Sequence, residues 1–299
     1  MVETRVDMIE EETFALLIRR QSEIIAHLSG KQIRVIRDRS ALEISRTTQR
    51  SLHEIYEAAL RQEICPFRYV RNLYALSLGE QLTLARSCVA VIGAGGLGGQ
   101  VILLLARTGV GRLIVVDSDA FDETNLNRQA LSTMEDLGKP KAHVAASTVA
   151  RINPGVRVTP HQVRLTTADA PTILRGSEVL VDALDSIRDR FMLESAAKEM
   201  GVPLVHGAVA GFEGRFMTML PGDEGMALLY GTDSTGAGSE VSPEAALGVS
   251  AFSPALIATL QGMEVLKLLL KRGRIGQNRM VHADLEEGEL RHFSFAKEA

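Results

Sequence analysis

The sequence predicts an α/β fold: a mostly parallel sheet with helices on both faces, extended by antiparallel C-terminal strands and preceded by an N-terminal helical arm. Three observations predict it. From residue 88 onward, short β-branched runs alternate with longer segments of helical periodicity. VAVIG at 89–93 is apolar and mostly β-branched, as expected of a strand buried on both faces. A glycine cluster stands where that strand turns into the next helix. Strand–helix–strand order of this kind closes into a parallel sheet through right-handed crossovers.

The elements follow in chain order. Residues 1–66 form an extension with dense charge and no glycine before Gly30. Phe14, Leu17, Ile18, Ile24, Ile25 and Leu28 recur at helical spacing, and Leu52, Ile55, Tyr56, Ala59 and Leu60 repeat it. We read a helical arm used for packing or dimerisation. Beyond it lies one domain, 67–299. Strands are expected at 89–93, 112–117, 156–161, 179–182 and 203–210, with helices at 97–108, 141–153 and 188–200. Pro140 suits the first turn of the 141–153 helix, and Pro154 stops it. A strand at 214–220 follows a glycine turn. Residues 221–254, rich in Gly, Ser, Thr, Asp and Pro, read as a long crossover loop. A helix at 254–270 and two strands at 280–283 and 289–293 complete the chain.

Composition narrows the function. The 299 residues carry 33 Lys+Arg against 37 Asp+Glu, a net charge of −4, which argues against a dedicated nucleic-acid binder. The chain is 45% hydrophobic and 23% charged, so global disorder is excluded. Its longest apolar stretches are about ten residues, short of the roughly 20 a membrane-spanning helix needs, so no membrane is expected. The acidic start, MVETRVDMIEEE, is unlike a secretory signal, and the expected compartment is the cytoplasm. Two cysteines, Cys65 and Cys88, cannot build a Cys₄ zinc site or a disulfide framework.

GAGGLG at 93–98, with Gly93, Gly95, Gly96 and Gly98, follows a strand and opens a helix. In this Rossmann-like context the glycines allow a tight turn and close approach of backbone N–H groups to phosphate. Asp117 ends the next strand, 19 residues past Gly98, where a carboxylate can hold ribose hydroxyls. The first βαβ unit therefore binds a nucleotide, but the motif alone does not separate NAD or FAD from ATP.

DSDAFDETNLNRQ at 117–129 adds Asp119, Asn125, Arg128 and Gln129 directly beyond a strand. A dinucleotide needs one acid there, whereas a triphosphate needs cations. Arg128 can grip phosphate oxygens bidentately, and Lys141, in GKPK, can supply a point charge. Taken singly, Arg128 fits a surface ion pair and Lys141 a solvated helix position; together after a glycine loop they fit phosphate. Asp182 and Asp185 end the strand before the 188–200 helix. Asp185 suits either Mg²⁺ against phosphates or the cap of that helix.

With these motifs in order, the chain from about Phe67 to Phe295 resembles the ThiF/MoeB/HesA superfamily, the bacterial relatives of ubiquitin-activating enzymes. The matching pieces are RYVRN (68–72), GAGGLGG (93–99), DSDAFDETNLNRQ, LGKPKA (137–142), RINP (151–154), DALD (182–185) and VPLVHGAVAGFEGR (202–215). The resemblance implies an adenylyltransferase that uses ATP and Mg²⁺ to activate the C-terminal carboxylate of a ubiquitin-like or sulfur-carrier protein ending in Gly-Gly, or of a peptide. It implies that Gly96 faces the phosphates, that Asp117 binds ribose, and that Asn125, Arg128 and Lys141 contact phosphates. It further implies that Asp185 supports Mg²⁺ and the reacting carboxylate, and that Arg71 reaches the ATP of the opposite subunit in a homodimer. Many relatives carry two CxxC pairs binding zinc; the chain has neither, so no zinc is expected. Nor does the crossover loop carry a thioester cysteine. Two other functions stay open: an NAD- or FAD-dependent oxidoreductase, which leaves Arg128, Lys141 and Asp185 without a purpose, and a non-catalytic adaptor for a ubiquitin-like partner.

Overall fold

The structure is a computed structural model that describes residues 2–27, 29–231 and 246–295, with side chains from Glu10 onward. Eleven strands lie in two sheets among these residues. The large sheet has eight strands: β4 (Cys88–Ile92), β5 (Arg112–Val116), β6 (Arg157–His161), β7 (Val179–Asp182), β8 (Leu204–Ala210), β9 (Glu213–Met219), β10 (Arg279–Asp284) and β11 (Glu289–Ser294). Their order is β11-β10-β9-β8-β7-β4-β5-β6. The strands from β6 to β8 are parallel, and β9, β10 and β11 are added antiparallel. The expected fold class therefore stands.

The apolar runs are continuous because both faces of the parallel strands are covered. Val89 and Val91 of β4 belong to one core with α5 (Gly96–Thr108), α6 (Lys141–Ile152) and a long C-terminal helix, Phe252–Leu270. Cys88, Ala90 and Ile92 belong to the other core, against α8 (Ile187–Met200). At about 25 cal/mol per Å² of apolar surface removed from water, this two-sided burial is the main force holding the sheet.

The helical arm requires correction. Helices α1 (Val2–Arg20), α2 (Asp38–Thr48) and α3 (Leu52–Arg61) are present, but Ile24 and Ile25 lie in β1 (Glu23–Ala26). This strand pairs antiparallel with β2 (Gln32–Ile36), which pairs parallel with β3 (Cys65–Pro66). Leu28 lies outside the described residues. Phe14, Ile18, Ile44, Ile55 and Tyr56 form a core of their own. Arg68 and Arg157 fasten this module to the rest, Arg157 at 3.1 Å from Glu54. Arg68 donates to Asp38 Oδ1 (3.2 Å) and to the Ile152 carbonyl (2.8 Å), and Tyr56 OH donates to Asp38 Oδ1 at 2.7 Å.

The 221–254 loop also needs correction. Met226–Tyr230 is a short helix, and the C-terminal helix starts at Phe252, two residues before Pro254. The middle of the loop, 232–245, lies outside the described residues. The Phe252–Leu270 helix has 19 residues at mean hydropathy 1.3, long and apolar enough by length and composition to cross a membrane. Half of it is buried within the chain, with Ile257, Ala258 and Val265 in the sheet's core.

Candidate functional site

A cavity of about 420 Å³ opens at the carboxyl ends of the parallel strands, where doubly wound sheets bind ligands. Gly93, Gly95 and Gly96 form its floor, Asp117 and Asp119 one wall, and Arg128, Gln129 and Lys141 another, while Asp185 stands at the end of β7. Nine of the twelve residues singled out from the sequence thus line one cavity. Gly98, Asn125 and Arg71 do not.

The glycines divide by role. Gly93 has φ +96°, and a Cβ there would lie 2.5 Å from the Ala183 carbonyl oxygen. A Cβ on Gly98 would lie 1.8 Å from the Gly93 carbonyl oxygen. Gly98 therefore closes the β4–α5 turn. Gly95 and Gly96 present backbone to the cavity at the start of α5, where the helix's first N–H groups have no partners within the helix.

Asp117 is fixed by this turn. Its Oδ2 accepts from Ala94 N–H at 2.6 Å and its Oδ1 from Asp119 N–H at 2.8 Å. Burial pushes its carboxyl above the ordinary range, against the pull of these two donors.

The segment after β5 folds back on the start of α6. Phe121 N–H donates to Lys139 O, and Lys141 N–H to Asp119 O. The Lys141 ammonium is thereby buried, 3.0 Å from Asp119 Oδ2. The solvated helix position weighed for Lys141 is therefore corrected by its burial, and Lys141 borders the cavity. Arg128 donates to Thr124 O (2.9 Å) and Asn127 Oδ1 (2.8 Å), so the guanidinium is steadied by its own turn. Asn125 was expected at phosphate. Its Oδ1 instead accepts from Asp122 N–H at 3.1 Å and shapes the turn that carries Arg128 and Gln129. Gln129 Oε1 is buried without a partner among the described residues.

Asp185 is exposed at the cavity wall, with no hydrogen bond or ion pair among the described residues. Capping of α8 falls to Ser186, whose side chain accepts from Asp189 N–H. That removes the capping role weighed for Asp185.

RYVRN is mostly an anchor. Arg68 binds Asp38 and Ile152, Tyr69 OH accepts from Asn153 Nδ2 at 2.7 Å, and Asn72 Nδ2 donates to Gln81 Oε1 at 3.0 Å. This contact also gives RINP its place, since Asn153 Nδ2 reaches the Ala106 carbonyl too. Arg71 alone of the motif's three polar side chains besides Tyr69 points outward: it is exposed, with no partner among the described residues.

Sequence reasoning missed several residues. Arg190, buried beside the cavity, donates from Nε (3.0 Å) and Nη2 (2.6 Å) to the Leu184 carbonyl. His206 is wholly buried next to the cavity residue Gly207, and Gln261 spans from the C-terminal helix to the Asp182 and Val205 carbonyls. His206 and Gly207 lay inside a recognised motif, but nothing in the sequence assigned them a task. Both thiols are buried, and burial raises them, Cys65 up to about 12.

The donor set fits a nucleoside triphosphate. A glycine cradle, four cationic side chains (Arg128, Lys141, Arg164 and Arg190), a carboxylate at each of two strand ends and an orphaned buried acceptor, Gln129 Oε1, surround a cavity of nucleotide size. Among the described residues no three His, Cys, Asp or Glu side chains are grouped to hold a metal. A single carboxylate such as Asp185 nevertheless suits Mg²⁺, which takes most of its ligands from phosphate and water.

Comparison with known proteins places this geometry. The model of the ThiF family matches residues 69–299. The chain is 37% identical over 219 residues to the SAMP-activating enzyme E1 of Haloferax volcanii, covering 73% of this chain and 80% of that protein. It is 37% identical over 230 residues to the sulfur carrier protein adenylyltransferase of Thermus thermophilus, covering 75% and 85%. The crystal structure of Escherichia coli MccB with AMPCPP and MccA shares the fold at TM-score 0.65 and 18% identity, over 87% of this chain and 80% of that one.

Proposed function

The chain belongs to the ThiF family and is an adenylyltransferase, and from that premise we propose that it adenylates the C-terminal carboxylate of a small ubiquitin-like or sulfur-carrier protein, using ATP and Mg²⁺. One observation carries the reading: cations and carboxylates meet over a glycine cradle in one cavity. The relatives of 37% identity, named for SAMP activation and sulfur-carrier adenylation, support the choice of partner. We take 67–299 as the adenylyltransferase domain and 1–66 as an extension with its own core.

The residues' roles follow from charge. A carboxylate oxygen attacks the α-phosphorus, the bond to the β-phosphate breaks, and pyrophosphate leaves. Two anions must approach each other, so the site has to supply positive charge in advance. Arg128 and Lys141 do so, with the backbone N–H groups at Gly95 and Gly96. Asp117 holds the ribose hydroxyls. Asp185 is the carboxylate placed to hold Mg²⁺, which when bound neutralises phosphate charge. Positioning contributes the rest. No side-chain nucleophile is needed, and the buried thiols of Cys65 and Cys88 leave the acyl-adenylate to be taken by an acceptor from outside the chain.

A peptide is the second reading of the carboxylate donor. The fold shared with MccB covers 87% of the chain and so reaches into the first 66 residues, which the family model leaves out. MccB was crystallised with the peptide MccA.

Carboxylate-dependent ATP–pyrophosphate exchange tests both readings. Exchange is expected with a Gly-Gly-ending carrier, or with a peptide bearing a free C-terminus if the second reading holds. Absence of exchange with either would overturn both readings of the carboxylate donor.

A further inference from the structure

Behind the cavity wall, five residues from four elements close a circuit of hydrogen bonds. Asp182, wholly buried at the end of β7, accepts from Leu184 N–H through Oδ1 at 3.0 Å. Its Oδ2 lies 2.7 Å from His206 Nδ1. A carboxylate only accepts, so this ring nitrogen carries the proton. Burial lowers His206's affinity for a second proton, which leaves Nε2 an acceptor. Tyr230 OH lies 3.2 Å from that Nε2 and donates to it. Arg190 Nη1 donates to the Tyr230 oxygen at 2.9 Å, while its Nε and Nη2 return to the Leu184 carbonyl. Both backbone polar groups of Leu184 are therefore held by the two ends of one circuit, and the next residue is Asp185.

We propose that His206 and Tyr230 are positioning residues for the adenylation chemistry: through Asp182 and Arg190 they lock Leu184 and so aim Asp185 into the cavity. The inference rests on the functional reading above. It explains an otherwise costly arrangement, because three buried polar side chains, Asp182, Arg190 and His206, are retained where apolar packing would serve stability equally well. Surrounding contacts keep the circuit stiff. Tyr230 packs edge-on against Phe191 and His206, and Arg215 lies 4.9 Å over its ring. Glu194 accepts from Met226 N–H at 3.0 Å and pins the far end of the helix carrying Tyr230. Gln261 holds the Asp182 carbonyl from a third side.

The test uses the full chain with Mn²⁺ in place of Mg²⁺ and ATP present, reading Mn²⁺ affinity by electron paramagnetic resonance. Tyr230→Phe removes one hydroxyl and keeps the ring's packing, so the fold survives. It is expected to weaken Mn²⁺ binding about 10-fold, as loss of a metal site's outer support does. His206→Gln should act in the same direction. The decisive comparison is a double-mutant cycle: in an Asp185→Asn background, Tyr230→Phe should have no further effect. Unchanged Mn²⁺ affinity in Tyr230→Phe, or additive effects in the cycle, overturns the positioning role alone. Absence of Asp185-dependent Mn²⁺ binding in the unsubstituted chain overturns the functional reading with it.

Discussion

A Cβ built on Gly98 would sit 1.8 Å from the Gly93 carbonyl oxygen, whereas one built on Gly95 would meet nothing closer than 3.6 Å. The two glycines look alike in the sequence, and only their surroundings separate them. Backbone cannot swing aside as a flexible side chain can, so Gly98→Ala should cost at least about 3 kcal/mol and leave little folded protein. A methyl group on Gly95 has room, so Gly95→Ala should lower the melting temperature less than Gly98→Ala does. Its methyl group would still stand where phosphate approaches the backbone, so ATP affinity should drop about 10-fold or more. Calorimetry and nucleotide titration on both variants check this. Equal loss of stability in the two would mean that Gly95, too, serves the fold. Asn125 makes the same point, since the motif that contains it gave no hint that its carboxamide would shape the turn behind the cavity.

At the scale of elements, Asp38 of α2 helps hold the N-terminal module to the domain, accepting from Arg68 across the junction and from Tyr56 within the module. Burial works against the Asp38 charge, but these hydrogen bonds outweigh it and keep its pKa below the usual carboxylate value. The folded chain thus holds fewer protons than the unfolded one as pH drops below about 3.9. The stabilisation is complete above that pH and is lost as acid titrates the folded carboxylate. Asp38 is partly exposed, so solvent screening keeps the effect modest. From pH 6 to pH 3 the melting temperature of the unsubstituted chain should fall further than that of Asp38→Asn; equal falls would show that the pair contributes nothing. Elements differ in how well the sequence announces them. The β4–α5 unit is legible because its strand is buried on both faces and its turn demands glycine. The β1–β2 hairpin is not, because Ile24 and Ile25 continue the helical spacing of α1 and become a strand only by pairing with Arg34 and Ile33. The Met226–Tyr230 helix is equally hidden, lying in a Gly- and Pro-rich stretch and held by Glu194 and Arg190 from another helix.

At the scale of the molecule, Arg71 is the test of assembly. It is exposed and outside its own chain's cavity, while Arg68, Tyr69 and Asn72 anchor the segment that carries it. If it serves the cavity of a second copy, Arg71→Ala and Arg128→Ala should each lose about 100-fold or more in exchange. Mixing the two should then restore about a quarter of full activity, since half of randomly paired dimers carry one complete site. No recovery on mixing would place Arg71's action within its own subunit or nowhere. By itself the sequence determined the doubly wound sheet, the nucleotide cradle and nine of the residues that line the cavity, because glycine spacing, two-sided apolar runs and charge order are local properties that a chain displays in one dimension. Only the tertiary structure decided which glycines shape the turn and which face the cavity, that Lys141 is buried against Asp119, and that Ser186 relieves Asp185 of capping. The circuit through residues 182, 184, 190, 206 and 230 belongs to that second group as well, because its members meet only when β7, α8, β8 and the Met226–Tyr230 helix pack together, and no spacing in the sequence encodes a distance in space.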